Sequence, residues 1–512
     1  MHIPLLLIAL SPVTHSLVTH QQLLHESQPS QSVISGDGKE SGFELVSSER
    51  LQGDILAGNL LKRAKHLYKI AELGIEEFNH PTRVIGSKGH LATLDYIYST
   101  ISSLGDYYEL SNQTFNATMG NVRKSKLRLG HTIPASADAM SLTPPTPKGG
   151  VNGNLILVAN DGCDAADYPE EVTDQIAFIR RGTCAFGDKS ILAGRAGALA
   201  AVIYNTADEG FGGTLGPYDT DKVPTFSLGG KDAKPILDQL DGGKGEPIFT
   251  HGYIDGILEN ITTVNIIAQT RDGDPDNCVM LGGHSDSVAE GPGINDDGTG
   301  SLTLLEIATR LTKYTVKNCV RFAWWAGEEE GLLGSDYYVS VLSPEENRKI
   351  RLFMDYDMLA SPNFAYQIYN ATNGANPTGS QELRDLYVDW YEQQELNYTF
   401  IPFDGRSDYD GFIKHGIPGG GIATGAEGIK TKEEEEIFGG KAGDWYDPCY
   451  HQGCDGVGNL NLYAWEVNTK LVAHSVATYA LSLDSFPQRT EIVELSEADR
   501  NPYSHSGRKP VI

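Results

Sequence analysis

Residues 279–300 read VMLGGHSDSVAEGPGINDDGTG, and few folds accommodate such a stretch. It opens on a short apolar run, Val279 to Leu281, of the kind that forms a buried strand of a parallel sheet. His284 and Asp286 follow at the strand's carboxyl end, and a Gly/Pro-rich loop leads to Asp296. From Gly298 a helical pattern sets Leu304, Ile307, Ala308 and Leu311 on one face. In open α/β sheets ligands gather outside the carboxyl ends of the strands. Imidazole and carboxylate delivered to that edge are natural zinc ligands.

Two further segments end the same way. KNCVRFAWWAGEEEGLLGSDYYV holds a buried strand, Val320 to Trp325, that runs into Glu328, Glu329 and Glu330. RLFMDYDMLASPN holds a third that ends in Asp355 and Asp357. FDGRSDYDGFIKHGIPGGGIATGAE predicts a helix and a strand, KTKEEEE an acidic loop, and DWYDPCYHQGCD brings His451. The closing helix carries Trp465, Val472, Val476, Tyr479 and Leu483 along one face. Upstream, Leu56, Leu60, Ala64, Leu67 and Ala71 recur at helical spacing, LATLDYIYSTISSLG predicts a second helix, and YYELSNQTFNAT an edge strand. This alternation predicts an α/β fold with a mostly parallel, mixed sheet flanked by helices.

His284, Asp296, Glu329, Asp357 and His451 therefore fall on one rim of the sheet, at intervals of 12, 33, 28 and 94 residues. Singly, each has an ordinary explanation. A histidine at a strand end is usually a satisfied polar group, a Glu run a solvated helix start, and Asp-Asp-Gly a turn. Joined on successive βα units, they form a donor set. Two imidazoles and three carboxylates hold two zinc ions if one carboxylate bridges, and each metal then keeps an open position. Glu328, adjacent to a ligand but itself free, is placed to serve as general base. Asp286 is placed to hydrogen-bond the His284 imidazole.

At 512 residues the chain is too long for a single hydrophobic core. Its 40 basic and 68 acidic residues give a net charge of −28, which argues against nucleic acid or an anionic membrane surface as partner. Residues 1–16 resemble a secretory signal peptide, with an apolar run from Ile3 to Leu10 far short of a membrane span. Residues 17–50 are polar and unpatterned, which predicts a pro-segment or disordered linker, and residues 486–512 a polar tail. The six cysteines are even in number, and sequons stand at Asn112, Asn116, Asn260, Asn370 and Asn397. Together these predict a secreted protein, with a vacuolar lumen as the alternative. No later stretch is long and apolar enough for a transmembrane helix.

Between residues 130 and 255 the pattern changes. IAFIRRGTCAFGDK, AGRAGALAAVIYN and VPTFSLG make this block resemble the protease-associated domain, a β-rich module found within or beside peptidases. That resemblance implies a Cys163–Cys184 disulfide and a scaffold or lid role. The block would split a peptidase domain into residues 51–129 and 256–485.

GGHSDSV, GPGINDDGTG, FAWWAGEEEGLLGS, MDYDMLASPN, FDGRSDY, TGAE and YDPCYHQGCD are similar to the motifs of the co-catalytic di-zinc aminopeptidases. The group in question is that of fungal vacuolar aminopeptidase Y and the secreted leucine aminopeptidases, and the resemblance covers residues 50 to 485. It implies a zinc exopeptidase fold, one zinc on His284, Asp296 and Asp357, and a second on Asp296, Glu329 and His451. By the same resemblance Glu328 is the general base and Asp286 orients the first histidine. Tyr450 hydrogen-bonds the tetrahedral intermediate, Arg406 and Asp408 help to bind substrate, and Cys449 pairs with Cys454. Cys278 and Cys319, at the starts of two strands, are a further candidate pair. The implied activity is release of N-terminal residues, leucine and other apolar ones foremost, from peptides with a free N-terminus by a monomeric enzyme. The alternatives are a carboxypeptidase of the same di-zinc fold and a receptor-like binding protein that has lost catalysis.

Overall fold

The computed structural model describes residues 43–240 and 246–489. The predicted signal peptide, most of the 17–50 segment and most of the 486–512 tail lie outside them. At both borders the described chain is more ordered than its composition predicts. Helix Ser48–Gly53 is capped by the Ser47 hydroxyl and buries Leu51. At the other end, Phe486 is buried and the Arg489 guanidinium donates to the carbonyls of Asn347, Ile350 and Gly416.

Two longer helices follow helix Ser48–Gly53, α1 (Ala57–Ala71) and α2 (Lys88–Ser102). Leu60, Ala64, Leu67 and Ala71 are buried on α1 as their spacing predicts, whereas Leu56 precedes the helix and is exposed. Strand β1 (Tyr108–Leu129) follows, far longer than the predicted edge strand. The inserted block contributes β2 (Val151–Leu157), β3 (Ile176–Arg180), β4 (Ala200–Tyr204) and β5 (Thr225–Leu228). The chain returns through the equally long β6 (Phe249–Thr270).

The peptidase part continues with β7 (Asp274–His284), α3 (Gly298–Leu311), β8 (Asn318–Trp325), β9 (Ile350–Tyr356), β10 (Gln367–Tyr369) and β11 (Thr399–Ile401). It closes with α4 (Tyr409–Lys414), β12 (Gly419–Ala423), α5 (Lys432–Phe438) and α6 (Leu462–Leu481). Helix α5 is a correction to the predicted acidic loop. Its Thr-x-x-Glu start is a capping box, in which the Thr431 hydroxyl accepts from the Glu434 N–H and the Glu434 carboxylate from that of Thr431. Two helix-end donors are thereby satisfied, and the glutamates favour the positive end of the helix dipole.

The strands join one mixed sheet in the order β11-β10-β12-β9-β7-β8-β6-β2-β3-β4-β5, with β1 paired to β6. The centre, β12-β9-β7-β8, is parallel, so the carboxyl ends of β7, β8 and β9 open on the same rim. One face is covered by α1, α2, α3 and α6 around Val279, Leu281, Phe322, Trp324, Leu352 and Met354. The other is covered around Met280, Trp325 and Phe353, where the Phe353 and Phe412 rings stack at 3.7 Å. Alternate residues of each central strand are thus buried on opposite faces, as a doubly covered parallel sheet requires. No helix among the described residues is long and apolar enough to cross a membrane.

Three disulfides are formed, Cys163–Cys184, Cys278–Cys319 and Cys449–Cys454. The second joins the starts of β7 and β8, and the third closes the short loop that contains His451. All five sequon asparagines are exposed.

Candidate active site

His284 ends β7, and the loop after it must return to start α3 beside β9. Its geometry is set by α3: a Cβ on Gly300 would come within 1.9 Å of the Tyr356 carbonyl, so only glycine permits this approach. Asp297 caps the helix. Its carboxylate accepts from the N–H groups of Gly300 (2.8 Å), Met358 (3.2 Å) and His284 (3.1 Å), and so ties three site-bearing segments together.

The predicted donors converge. His284 Nε2 lies 3.2 Å from Asp296 Oδ1 and 3.9 Å from Asp357 Oδ1. His451 Nε2 lies 3.2 Å from Asp296 Oδ2 and 3.2 Å from Glu329 Oε2. Asp296 therefore turns one oxygen to each imidazole. Ligand atoms on a tetrahedral zinc with bonds of ~2.0–2.1 Å stand ~3.3 Å apart, so these separations suit a metal at each end of Asp296. The Glu328 carboxylate is buried 3.9 Å from His284 Nε2.

Electrostatics supports a cation. Burial, then the neighbouring charge of Asp296, pushes the Asp357 carboxyl up to about 8. Burial likewise raises Glu328 and Glu329, each further raised by nearby carboxylates. His451 is pushed up to about 11, because Glu329 and Asp296 outweigh its burial. Asp357 Oδ1 is buried without a hydrogen-bond partner. Carboxylates crowded in this way either take up protons or share a cation, and metal ions are the usual solution. Ligand atoms of His284, Asp297 and Asp357 also lie within 4.8 Å of one another. Both Asp297 oxygens, however, are engaged by backbone donors, which makes Asp297 the weakest ligand of that group.

Not every predicted residue takes its predicted place. Asp286 Oδ1 is 3.8 Å from His284 Nδ1, beyond hydrogen-bond reach. The carboxylate instead accepts from the N–H groups of Gly327 (2.8 Å), Glu328 (3.4 Å) and Glu329 (3.3 Å), holding the loop that presents both glutamates. Tyr450 is buried against the His451 ring, 3.8 Å between centroids, and lines the cavity beside the donors. Burial raises its phenol well above the usual range, so it stays a protonated donor. Arg406 lines the same cavity and pairs with Glu427 at 2.9 Å. Asp408 is buried behind the cavity and is not part of its wall.

Sequence reasoning passed over a supporting layer. The fully buried Arg83 guanidinium donates to the carbonyls of Pro292 (2.9 Å), Ser285 and Gly293, bracing the loop between His284 and Asp296. Asp455 accepts from the N–H groups of Asn295 (3.0 Å) and Asp296 (3.1 Å), and Asp447 from the Asn295 side chain (2.6 Å). The signal for the last two lay in the DWYDPCYHQGCD motif, at either side of His451.

The cavity, of about 350 Å³, runs from the donors to an outer wall that includes Met358, Tyr369, Phe400, Ile401 and Pro402. Comparison with known proteins agrees with this arrangement. Residues 265–476 match the model of peptidase family M28, and residues 151–236 that of the PA domain. The chain is 48% identical to aminopeptidase Y of Saccharomyces cerevisiae, covering 87% of this chain and 82% of the yeast protein. It is 41% identical to a probable leucine aminopeptidase 2 of Aspergillus oryzae, covering 92% and 94% respectively. The fold resembles that of an aminopeptidase from Aneurinibacillus sp. strain AM-1, with a TM-score of 0.67 and 23% identity over 87% of this chain and 98% of that one. A rim of candidate metal donors on an α/β sheet interrupted by a PA domain thus has its relatives in one place: the chain belongs to peptidase family M28 and is a peptide hydrolase.

Proposed function

We propose that the protein is a two-zinc aminopeptidase that releases N-terminal residues from peptides, with apolar residues preferred. The observation that carries this reading is Asp296, whose two oxygens face two different imidazoles 3.2 Å away, with Glu328 beside them. One zinc would be held by His284, Asp296 and Asp357, the other by Asp296, Glu329 and His451. Two such ions supply Lewis acidity to the scissile carbonyl and lower the pKa of the attacking water.

The chain's own groups then divide the work. Glu328, raised by burial, takes the proton of the attacking water and passes it to the leaving amine. Tyr450 donates its phenolic O–H to the developing oxyanion. The surplus of carboxylates around the donors receives the substrate's α-ammonium group. The apolar part of the cavity wall accepts the first side chain, in keeping with the name of the Aspergillus oryzae relative. A carboxypeptidase would want free cations for the terminal carboxylate. The cavity wall holds one arginine, Arg406, and it is already paired. Exposed sequons and three disulfides support passage through the secretory route, to the medium or a vacuole, with the sequon asparagines as glycan sites.

The test compares a leucyl peptide with its N-acetylated twin, on zinc-loaded, chelated and Glu328→Gln protein. Cleavage of the free peptide alone, abolished by chelation and reduced at least ~10³-fold by Glu328→Gln, is expected. Release of C-terminal residues from both peptides would instead establish a carboxypeptidase. Zinc binding without turnover of either would point to a binding protein.

A further inference from the structure

Beyond the candidate metal donors and Glu328, the cavity wall carries one guanidinium, Arg406, and three carboxylates, Asp404, Glu427 and Glu434. Arg406 Nη2 lies 2.9 Å from Glu427 Oε1, and the pair joins the loop after β11 to the loop after β12. Both loops are held in place. Gly405, next to Arg406, donates its N–H to the Tyr409 hydroxyl at 2.8 Å. Gly425, with φ of +96°, lies flat against the Tyr446 ring, where a Cβ would come within 2.4 Å. The pair is also close to the chemistry. Ser407, the residue after Arg406, has its hydroxyl 3.5 Å from Asp357 Oδ2, and the charges of Arg406 and Glu427 both act on the Tyr450 phenol.

In a dipeptide, a carboxylate follows the scissile bond at a distance of one Cα. In a longer peptide the same position is a neutral amide. A free arginine beside the reacting centre would bind that carboxylate in a charge-assisted, bidentate manner and favour dipeptides. Here the guanidinium is already matched, and the two remaining carboxylates of the wall repel a substrate anion. We propose that Glu427 is a specificity-determining residue: by occupying Arg406 it removes the reward for a free carboxylate after the scissile bond, and so directs the enzyme to longer peptides over dipeptides. The inference rests on the aminopeptidase reading.

The experiment measures kcat/KM for Leu-Gly and for Leu-Gly-amide, which differ only in that carboxylate. The ratio of the two within one protein sample is independent of the fraction folded. Wild type is expected to favour the amide. Glu427→Gln should raise the Leu-Gly to Leu-Gly-amide ratio by about five- to tenfold, the effect of freeing one partly exposed guanidinium. Adding Arg406→Gln should return the ratio to its wild-type value. Glu427→Asp, which draws the carboxylate back by a methylene, should move the ratio the same way by a smaller factor, and serves if the glutamine variant does not fold. An unchanged ratio in both single variants, with wild type active, would overturn the inference alone. So would a raised ratio that survives loss of Arg406. A wild type that cleaves neither substrate would remove the aminopeptidase reading, and the inference with it.

Discussion

His90 has no exposed surface, and both its ring nitrogens are engaged. Nδ1 accepts from the Gly86 N–H at 3.3 Å, and Nε2 donates to the Ser285 hydroxyl at 3.0 Å, which in turn donates to the Trp325 carbonyl at 2.7 Å. A second proton would set Nδ1–H against the Gly86 N–H. Burial, reinforced by the charges of Arg83 and His284, pushes the imidazole down to about 4, although Asp286 opposes the shift. Between the ordinary value near 6.5 and about 4, the unfolded chain binds a proton that the folded chain refuses. Stability is therefore full above about pH 6.5 and declines as pH falls to about 4, by about 3 kcal/mol from this residue. His90→Asn should flatten the pH dependence of urea unfolding across that window relative to wild type. Parallel curves would refute the assignment. The converging residues that were legible in the sequence are those whose proposed chemistry requires their type, namely His284, Asp296, Glu328, Glu329, Asp357 and His451. Arg83, Asp297 and His90 were not legible, because they act on backbone groups or on residues about 200 positions distant, and no local spacing records that. Asp286 lies between the two cases: its place beside His284 was readable, its backbone partners were not.

At the scale of elements, α1 and α3 are clamped by Glu306, whose side chain is 1% exposed. It accepts from Arg63 Nε (2.8 Å) and Asn59 Nδ2 (3.1 Å) on one side, and from Arg310 Nε (2.8 Å) on the other. The periodicity of α1 foretold its buried apolar face but not this polar edge, since the partner carboxylate is more than 240 residues away. Glu306→Ala leaves two partly buried guanidinium groups facing each other without a counter-charge. Allowing for the solvent that reaches both arginines, it should cost about 2–3 kcal/mol, while a surface change such as Glu259→Ala should stay within about 0.5 kcal/mol. Chemical denaturation of the two variants checks this, and equal midpoints would show that the clamp contributes little. Helix α5 illustrates a different failure. Four consecutive glutamates suggest a loop by composition, yet Thr431 three residues before Glu434 is the feature that decides, because it satisfies the helix start.

The whole molecule is held together by the β1–β6 ribbon, which belongs to two cores. Near its base, Phe115, Ala117 and Met119 pack with Val84, Ile85, Ala289 and Ala326, under the loops that present the candidate metal donors. Near its tip, Leu127, Leu129 and Ile254 pack with Phe178, Val202 and Phe226 of the inserted domain. This is why the domain's edges were hard to read: the motifs place the insert at residues 130–255, whereas the two strands that bound it run on from one core into the other, with a register shift between Val122 and Lys124 where the cores meet. The ribbon also indicates where the domains can be separated. Asn121 faces Ile257, and Val122 faces Gly256, between the two clusters. Replacing residues 123–255 by Asn-Gly would close the strands with a two-residue type I′ turn and remove the tip together with the core it serves. The base keeps its contacts to the site and loses the Tyr218 N–H that donates to the Thr118 hydroxyl at 2.6 Å. The excised protein should unfold cooperatively and retain kcat/KM for Leu-Gly-amide within about threefold, corresponding to less than ~1 kcal/mol in transition-state stabilisation. Loss of the unfolding transition would mean that the peptidase core depends on the insert for its stability. A folded protein with a much lower kcat/KM would give the insert a part in substrate handling.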